Sequence, residues 1–145
     1  MSKLNVLIVE ARFYGELCDE MAAGAIEVIE AAGGTYDRLE VPGALEVPAA
    51  MKFAEVGSAK KYDAYVALGC VIRGETSHYD YVCGESARGL QELAIKDLMC
   101  VGNGILTVED WDQAWARAKR DKKNKGADAA GAALRMAALK TEFGV

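Results

Sequence analysis

A run of nine uncharged residues, Ala64 to Ile72, is the strongest strand signal in the sequence. An unbroken apolar run is typical of a strand buried on both faces of a parallel sheet, because a strand with one wet face alternates polar and apolar residues. The run from Leu4 to Val9 has the same character, with one asparagine inside it. The sequence therefore predicts central parallel strands that helices cover on both sides.

Helical patterns separate the predicted strands. Apolar residues recur at three- and four-residue steps from Tyr14 to Ala32, and Gly33 and Gly34 supply the left-handed stop that helices favour. The other predicted elements are strands at Thr35 to Val41 and near Met99 to Leu106, and helices from Pro48 to about Val56, about Tyr79 to Ile95, Glu109 to about Arg120 and Ala127 to Lys140. Thr107 and Asp110 resemble a capping pair for the fourth helix.

Alternating strands and helices imply right-handed crossovers between parallel strands. We therefore expect residues 1–145 to form a single domain, a three-layer α/β/α sandwich with a four-stranded parallel sheet of the flavodoxin-like class. The predicted topology places ligand-binding residues in the loops that follow the strands, because open parallel sheets bind ligands at the carboxyl ends of their strands.

Charge and composition exclude several classes of partner. Seventeen lysine and arginine residues against 22 aspartate and glutamate residues give a net charge of −5, so neither nucleic acid nor an anionic membrane is an expected partner. The longest uncharged stretch, Leu98 to Val108, is too short to span a membrane, and Glu10 follows the first apolar run where a signal peptide would be cleaved. These features predict a cytoplasmic protein. The scattered cysteines and the single histidine predict reduced thiols and no metal site; the cysteines are Cys18, Cys70, Cys83 and Cys100.

The loop after the third strand carries the most chemistry. Gly69 to Thr76 has the outline of a phosphate-binding loop, but Glu75 stands where a nucleotide-binding loop has lysine, so the backbone near Gly74 and Thr76 could cradle one phosphate instead. His78 follows at the predicted start of a helix. Its imidazole is either a proton carrier or a polar surface group.

Three other positions have two interpretations each. Phe13 follows the first strand, where an aromatic ring either packs in the core or stacks on a flat heterocycle. Arg117 lies among basic residues on a helix face that is either a solvated surface or an anion site. Gly102 and Gly104 form a weak dinucleotide signal or mark a close backbone approach in the fourth strand.

Four segments carry a more specific signal in their order along the chain. They are Pro-Gly-Ala-Leu-Glu-Val-Pro at 42–48, Gly-Cys-Val-Ile-Arg-Gly-Glu-Thr-Ser-His-Tyr-Asp-Tyr-Val at 69–82, Gly-Ile-Leu-Thr-Val-Glu at 104–109 and Asn-Lys-Gly at 124–126. Together they closely resemble the 6,7-dimethyl-8-ribityllumazine synthase family. The resemblance implies a transferase that condenses 5-amino-6-(ribitylamino)uracil with 3,4-dihydroxy-2-butanone 4-phosphate. The reaction releases phosphate and water, is the penultimate step of riboflavin biosynthesis, and implies no cofactor or metal.

The resemblance also implies roles for individual residues. Residues on the pyrimidine side are Phe13, which would stack on the ring, Ala44, Leu45 and Glu46, which would hold the ribityl chain, and Val71 and Ile72, which would border the ring. Residues for phosphate and proton transfer are Gly74, Glu75 and Thr76 on the phosphate-contacting turn, His78 as the proton carrier, Arg117 as the phosphate partner and Lys125 of the Asn-Lys-Gly segment. Asn103 stands where many members place a phenylalanine from the neighbouring subunit beside the substrate, which would make that side of the ring polar.

The family's site lies between subunits, so the resemblance implies a homopentamer as the smallest active unit. Family members that form 60-subunit capsids tend to have glycines between the last two helices, and the segment from Ala118 to Lys123 has none. Many members also have a longer N-terminus that adds a strand to a neighbour's sheet, whereas Met1 and Ser2 nearly complete what precedes the first strand here. We therefore expect pentamers or at most a pair of pentamers.

Other functions fit the same architecture. A flavin-binding electron carrier would have a first loop rich in hydroxyls and glycine, unlike residues 10–14, and a phospho-receiver domain would have an acidic residue at the end of the third strand, unlike residues 69–72. The remaining alternative is a lumazine- or flavin-binding paralogue with slow turnover, for which Asn103 is the only indication.

Overall fold

Within residues 3–57 and 60–145, which the computed structural model describes, strands and helices alternate along the chain. The elements are β1 (Asn5–Ala11), α1 (Gly15–Ala31), β2 (Thr35–Val41), α2 (Val47–Gly57), β3 (Ala64–Ile72), α3 (His78–Lys96), β4 (Val101–Val108), α4 (Trp111–Ala118) and α5 (Lys125–Phe143), with a 3₁₀ turn at Ala44–Glu46 before α2. The predicted short N-terminal segment, Met1 and Ser2, lies outside the described residues.

The four strands form one parallel sheet in the order β2-β1-β3-β4. Val9 of β1 lies opposite Ala67 of β3, which in turn lies opposite Asn103 of β4. Helices cover both faces, so the predicted three-layer α/β/α fold is confirmed. The chain leaves β1 towards one edge of the sheet and leaves β3 towards the other, which opens a crevice at their carboxyl ends.

β1 and β3 contribute side chains to two hydrophobic cores. Val6 and Ile8 pack with α1, α4 and α5 on one face, whereas Leu7 and Val9 pack with α2 and α3 on the other. Each strand therefore buries its side chains on both faces of the sheet. This explains the unbroken apolar runs from which the strands were predicted. Fully burying one such aliphatic side chain contributes roughly 1.5–3 kcal/mol.

The predicted boundaries hold for β2 and β3 and fail in the last third of the chain. β4 begins two residues later than predicted, because Met99 donates its N–H to Leu93 O (3.1 Å) and so still belongs to the end of α3. The predicted Thr107–Asp110 capping pair is wrong, since Thr107 lies in β4. Asp110 instead caps α4 by accepting from the N–H of Gln113 (2.9 Å), and Gln113 Oε1 accepts from the N–H of Glu109 (2.8 Å).

Two glycines allow α5 to lie close to its neighbours. A Cβ at Gly102 would lie 1.9 Å from Ala129 O of α5, and a Cβ at Gly126 would lie 2.1 Å from Met21 O of α1. The interpretation of Gly102 as a close backbone approach is therefore confirmed, with α5 as the element that approaches. In the part of the chain that the structure describes, no helix is long and apolar enough to cross a membrane.

Candidate active site

A cavity of about 360 Å³ opens at the carboxyl ends of β1, β2 and β3, where the strand order reverses. It is lined by Phe13, Tyr14, Gly43, Ala44, Leu45, Glu46, Cys70, Val71, Ile72, His78 and Val82. Seven of the thirteen residues that the resemblance singled out line this cavity, although they come from four separate stretches of the chain. We refer to it as the Phe13 cavity.

Phe13 presents its ring to this cavity and to solvent. Its side chain is 77% exposed, which excludes the interpretation of Phe13 as a core residue. The ring makes an edge contact with Tyr14 (centroids 4.8 Å apart), and Tyr14 in turn contacts Trp111 at the start of α4 (5.2 Å). One face of the Phe13 ring therefore remains available to a flat ligand.

The segment at 42–48 forms the opposite wall. Gly43 is extended, and its carbonyl accepts from the N–H of Glu46 (3.1 Å), which closes the 3₁₀ turn. Ala44 is buried, whereas Leu45 is 44% exposed and faces the cavity together with Glu46. Pro48 lies in the first turn of α2, where its missing N–H costs nothing.

The loop between β3 and α3 is held by Arg73. Its Nε donates to Glu109 Oε2 (2.7 Å), its guanidinium lies 4.3 Å from the centroid of the Tyr79 ring, and its backbone N–H donates to Val108 O (2.9 Å). These contacts join the loop to the end of β4. The loop thereby delivers His78 to the cavity at the first residue of α3.

The remaining residues of this loop are exposed and do not line the Phe13 cavity. They are Gly74, Glu75 and Thr76. Thr76 Oγ1 accepts from the N–H of His78 (3.2 Å), while Ser77 makes no side-chain cap to α3. The N–H of Asp80 donates to Ser77 O (3.0 Å), so the first turn of α3 is already partly satisfied, and the exposed turn at residues 74–76 beside the helix start is the part of this loop that is open to an anion.

A second cavity, of about 320 Å³, runs along the edge strand β4 to the start of α5. We call it the Arg117 cavity; its polar lining residues are Asn103, Thr107, Arg117, Lys125 and Asp128. Among the described residues, none lines both cavities. The structure therefore separates Asn103, Arg117 and Lys125 from the other predicted site residues.

Arg117 and Arg120 are three residues apart on the chain but differ in their charged partners. Arg120 is bound by Glu20 and Glu27, with nitrogen–oxygen distances of 3.3 Å and 2.7 Å. The half-buried Arg117 donates only to Gln113 O (3.1 Å) and pairs with no carboxylate in residues 3–57 and 60–145. Its charge is thus available to an anion in the Arg117 cavity.

The Cys70 thiol and the Tyr14 phenol, which line the same cavity as His78, keep their protons at neutral pH. Burial raises the pKa of the Cys70 thiol to about 11, and burial also raises the pKa of Tyr14. Imidazole is the side-chain group that ordinarily exchanges protons near neutral pH. His78 is accordingly the candidate proton carrier of the Phe13 cavity.

Comparison with known proteins identifies the family. A model of the 6,7-dimethyl-8-ribityllumazine synthase family matches residues 3–141 of the chain. The chain belongs to this family. A protein of Bartonella henselae named 6,7-dimethyl-8-ribityllumazine synthase is 58% identical over 142 residues, covering 98% of this chain and 92% of its own. A protein of the same name from Agrobacterium fabrum is 53% identical over 147 residues, covering 99% of both chains. The predicted family is therefore confirmed.

Four residues that line the Phe13 cavity of this lumazine synthase family member were not predicted from the sequence. They are Tyr14, Gly43, Cys70 and Val82. Val82 follows His78 by one helical turn, so the helix period was a signal for it. Tyr14, Gly43 and Cys70 are each adjacent to a predicted residue, but nothing in the sequence shows which of two neighbours turns inward.

Proposed function

We propose that the protein condenses 5-amino-6-(ribitylamino)uracil with 3,4-dihydroxy-2-butanone 4-phosphate to give 6,7-dimethyl-8-ribityllumazine, phosphate and water. This reaction is the penultimate step of riboflavin biosynthesis. Membership of the family supports the proposal. The observation that carries it is the Phe13 cavity, in which an exposed aromatic ring, the turn at 44–46 and His78 meet at one edge of the sheet.

The Phe13 cavity suits the pyrimidine substrate. Phe13 would stack on the flat ring, and Val71 and Ile72 would border the ring where β3 ends. Ala44, Leu45 and Glu46 would hold the ribityl chain, because the turn offers backbone groups and a carboxylate as hydrogen-bond partners for hydroxyls.

The chemistry makes modest demands on the protein. The arylamine nitrogen is nucleophilic without a strong base, so holding it near the ketone of the butanone phosphate could supply several kcal/mol through orientation. His78 would move protons when the carbinolamine loses water and when phosphate departs. Such proton transfer contributes about 10²–10⁴-fold to a rate.

Two groups of residues would bind phosphate. The turn at Gly74, Glu75 and Thr76 lies beside the N–H groups of α3, and Arg117 offers a charge-assisted, bidentate fork. Since Arg117 lies in a different cavity of its own chain, its phosphate partner would lie in the site of a neighbouring subunit. Lys125 and Asn103 would reach that site with it.

We therefore infer that the active form is a homo-oligomer of single-domain chains, with a pentamer as its smallest unit, in the cytoplasm. Each subunit would supply a Phe13 cavity to one neighbour and an Arg117 cavity to the other, and a closed ring lets every such head-to-tail interface be satisfied.

The growth of product absorbance after the pure protein is mixed with both substrates tests the function. We expect product to form at a rate proportional to protein concentration, and omission of either substrate to abolish it. A protein that binds a flavin or a lumazine tightly and forms no product would overturn the proposal in favour of a binding paralogue.

A further inference from the structure

A buried carboxylate holds two arginines beneath the loop that carries Phe13. Glu10, the penultimate residue of β1, is 2% exposed. Its Oε1 accepts from Arg12 Nη1 (2.7 Å) and Arg38 Nη2 (2.8 Å), and its Oε2 accepts from Arg38 Nε (2.6 Å). Within the described residues, no other charged side chain is buried to this degree.

Stability alone does not explain this arrangement. Desolvating a carboxylate is costly, and apolar side chains of similar volume are often as stabilising as a buried ion pair. The preceding β1 residues on the same face of the sheet, Val6 and Ile8, are apolar and buried, so an apolar residue would suit position 10 of the strand. A charge buried at such a cost points to a role in conformation.

The network spans the loop from one end to the other. Arg12 contacts Glu10 at the end of β1, and its Nη2 lies 3.3 Å from Gly15 O and 2.8 Å from Asp19 Oδ1 in the first turns of α1. Arg12 therefore joins the end of β1 to the start of α1, with residues 13 and 14 between the two contacts. Tyr14 makes no side-chain cap at the start of α1, so the contacts of Arg12 are side-chain hydrogen bonds that join the two ends of this loop.

Phe13 lies within the segment that Arg12 spans. Its side chain is 77% exposed, and its ring contacts the edge of Tyr14. So exposed a ring takes its position from the backbone that carries it. Arg38 holds Glu10 from β2, so the edge strand also contributes to the geometry of the loop.

We propose that Glu10 is a positioning residue that acts through Arg12, and with Arg38, to hold the Phe13 ring in the plane required for stacking on the pyrimidine substrate. This inference rests on the proposed function, since it takes Phe13 as the stacking residue. Glu10 itself would touch neither substrate.

Glu10→Gln keeps the shape of the side chain but removes its charge and turns an amide N–H towards a guanidinium. We expect the KM for the pyrimidine substrate to rise about tenfold, with kcat and the KM for the butanone phosphate within about twofold of the unaltered protein. Arg12→Met provides a second variant at a less buried position and should give the same split between the substrates. Ile29→Val, at a buried core position of α1 itself, is the control for lost stability and should produce no split.

A double-mutant cycle tests whether Glu10 acts on substrate binding through Phe13. In a Phe13→Ala background, Glu10→Gln should raise the KM for the pyrimidine substrate no further, because the ring it positions is gone. Equal rises for both substrates, or an independent further rise in the Phe13→Ala background, would overturn the inference.

Binding of the pyrimidine substrate, followed by quenching of tryptophan fluorescence, separates this inference from the proposed function. An unaltered protein that binds the pyrimidine without turnover, with binding weakened about tenfold in Glu10→Gln, would refute the enzyme and leave the positioning role standing. If Glu10→Gln and Arg12→Met both fold and bind as tightly as the unaltered protein, the positioning role is wrong. An unaltered protein that does not bind the pyrimidine would overturn both.

Discussion

Gly102 in β4 faces Ala129 in α5 at a distance that admits no side chain: a Cβ at Gly102 would lie 1.9 Å from the Ala129 carbonyl oxygen. Helix α5 therefore lies almost directly on the edge strand. Lys125, the first residue of α5, and Asn103, in β4, line the same cavity as a result. The shape of the Arg117 cavity thus depends on the absence of a methyl group at position 102.

Gly102→Ala should accordingly destabilise the protein, because the backbone of α5 must move away from β4. We expect a loss of about 3 kcal/mol or more in the free energy of unfolding, measured by urea denaturation. Gly131→Ala is the matched control, since this α5 glycine has open space around its Cβ position. It should raise stability by about 0.5–1 kcal/mol. Similar effects of the two substitutions would contradict the packing described for Gly102.

Arg117→Ala should raise the KM for the butanone phosphate about tenfold or more and leave the KM for the pyrimidine substrate nearly unchanged. The physical reason is the loss of a charge-assisted pair with phosphate. Arg120→Ala is the control, because Glu20 and Glu27 already hold the Arg120 guanidinium. It should change stability little, because exposed ion pairs contribute little, and it should alter neither KM. Equal effects of Arg117→Ala on both substrates would reject the role assigned to Arg117.

His78→Ala should slow turnover by about 10²-fold without abolishing it, because the orientation of the substrates would supply most of the acceleration. Ser77→Ala is a suitable control, since the Ser77 side chain does not cap α3. Steady-state rates and circular dichroism of both variants provide the measurement. A correctly folded His78→Ala protein that is either fully active or completely inactive would show the role of proton carrier to be wrong.

Alkaline pH should weaken the fold through Cys18. Burial is the main cause that raises the pKa of this thiol from 9.0 to about 12, with the charge of Glu10 adding to it. Between these values the unfolded chain loses a proton that the folded chain keeps, so stability falls as pH rises above 9.0. The loss is at most about 1.4 kcal/mol per pH unit for one proton. Urea unfolding at pH 8 and pH 10.5 should show a smaller fall in the free energy of unfolding for Cys18→Ala than for the unaltered protein. Equal falls in the two proteins would contradict the prediction.

The assembly should sediment as pentamers or pairs of pentamers at micromolar concentration in phosphate buffer. The segment between α4 and α5 is a short connection whose turn places Asn124 in the left-handed region (φ 49°), and residues 118–123 contain no glycine at which the chain could kink. A species near 60 subunits would refute this argument.

The layers of the fold were predictable because β1 and β3 are buried on both faces. The end of β2 at Val41 was predictable as well, because Pro42 has no backbone N–H to donate to a neighbouring strand. The start of β4 was not, because the N–H of Met99 closes the C-terminal turn of α3 on Leu93 O with Leu98 in the left-handed region (φ 55°), and no glycine marks this helix end in the sequence. A pattern of apolar residues does not distinguish an extended residue at the end of a turn from the first residue of a strand.

The family resemblance named seven of the residues that line the Phe13 cavity, but the geometry of the cavity was not predictable. The sequence does not show that Phe13 and Arg117 lie in different cavities, because that depends on which strand forms the edge of the sheet. Glu10 was also missed as part of a network. A carboxylate after an apolar run is usually solvated, and only the pairing of β1 with β2 brings Arg38 to it.

The separation of the two cavities has a genetic consequence. In the proposed ring, a chain damaged at Phe13 still offers an intact Arg117 cavity to its neighbour, and a chain damaged at Arg117 still offers an intact Phe13 cavity. Two alleles that are each inactive alone would then restore some whole sites when their products mix in one assembly. Complementation between alleles, ordinarily a property of separate domains, would arise here within 145 residues.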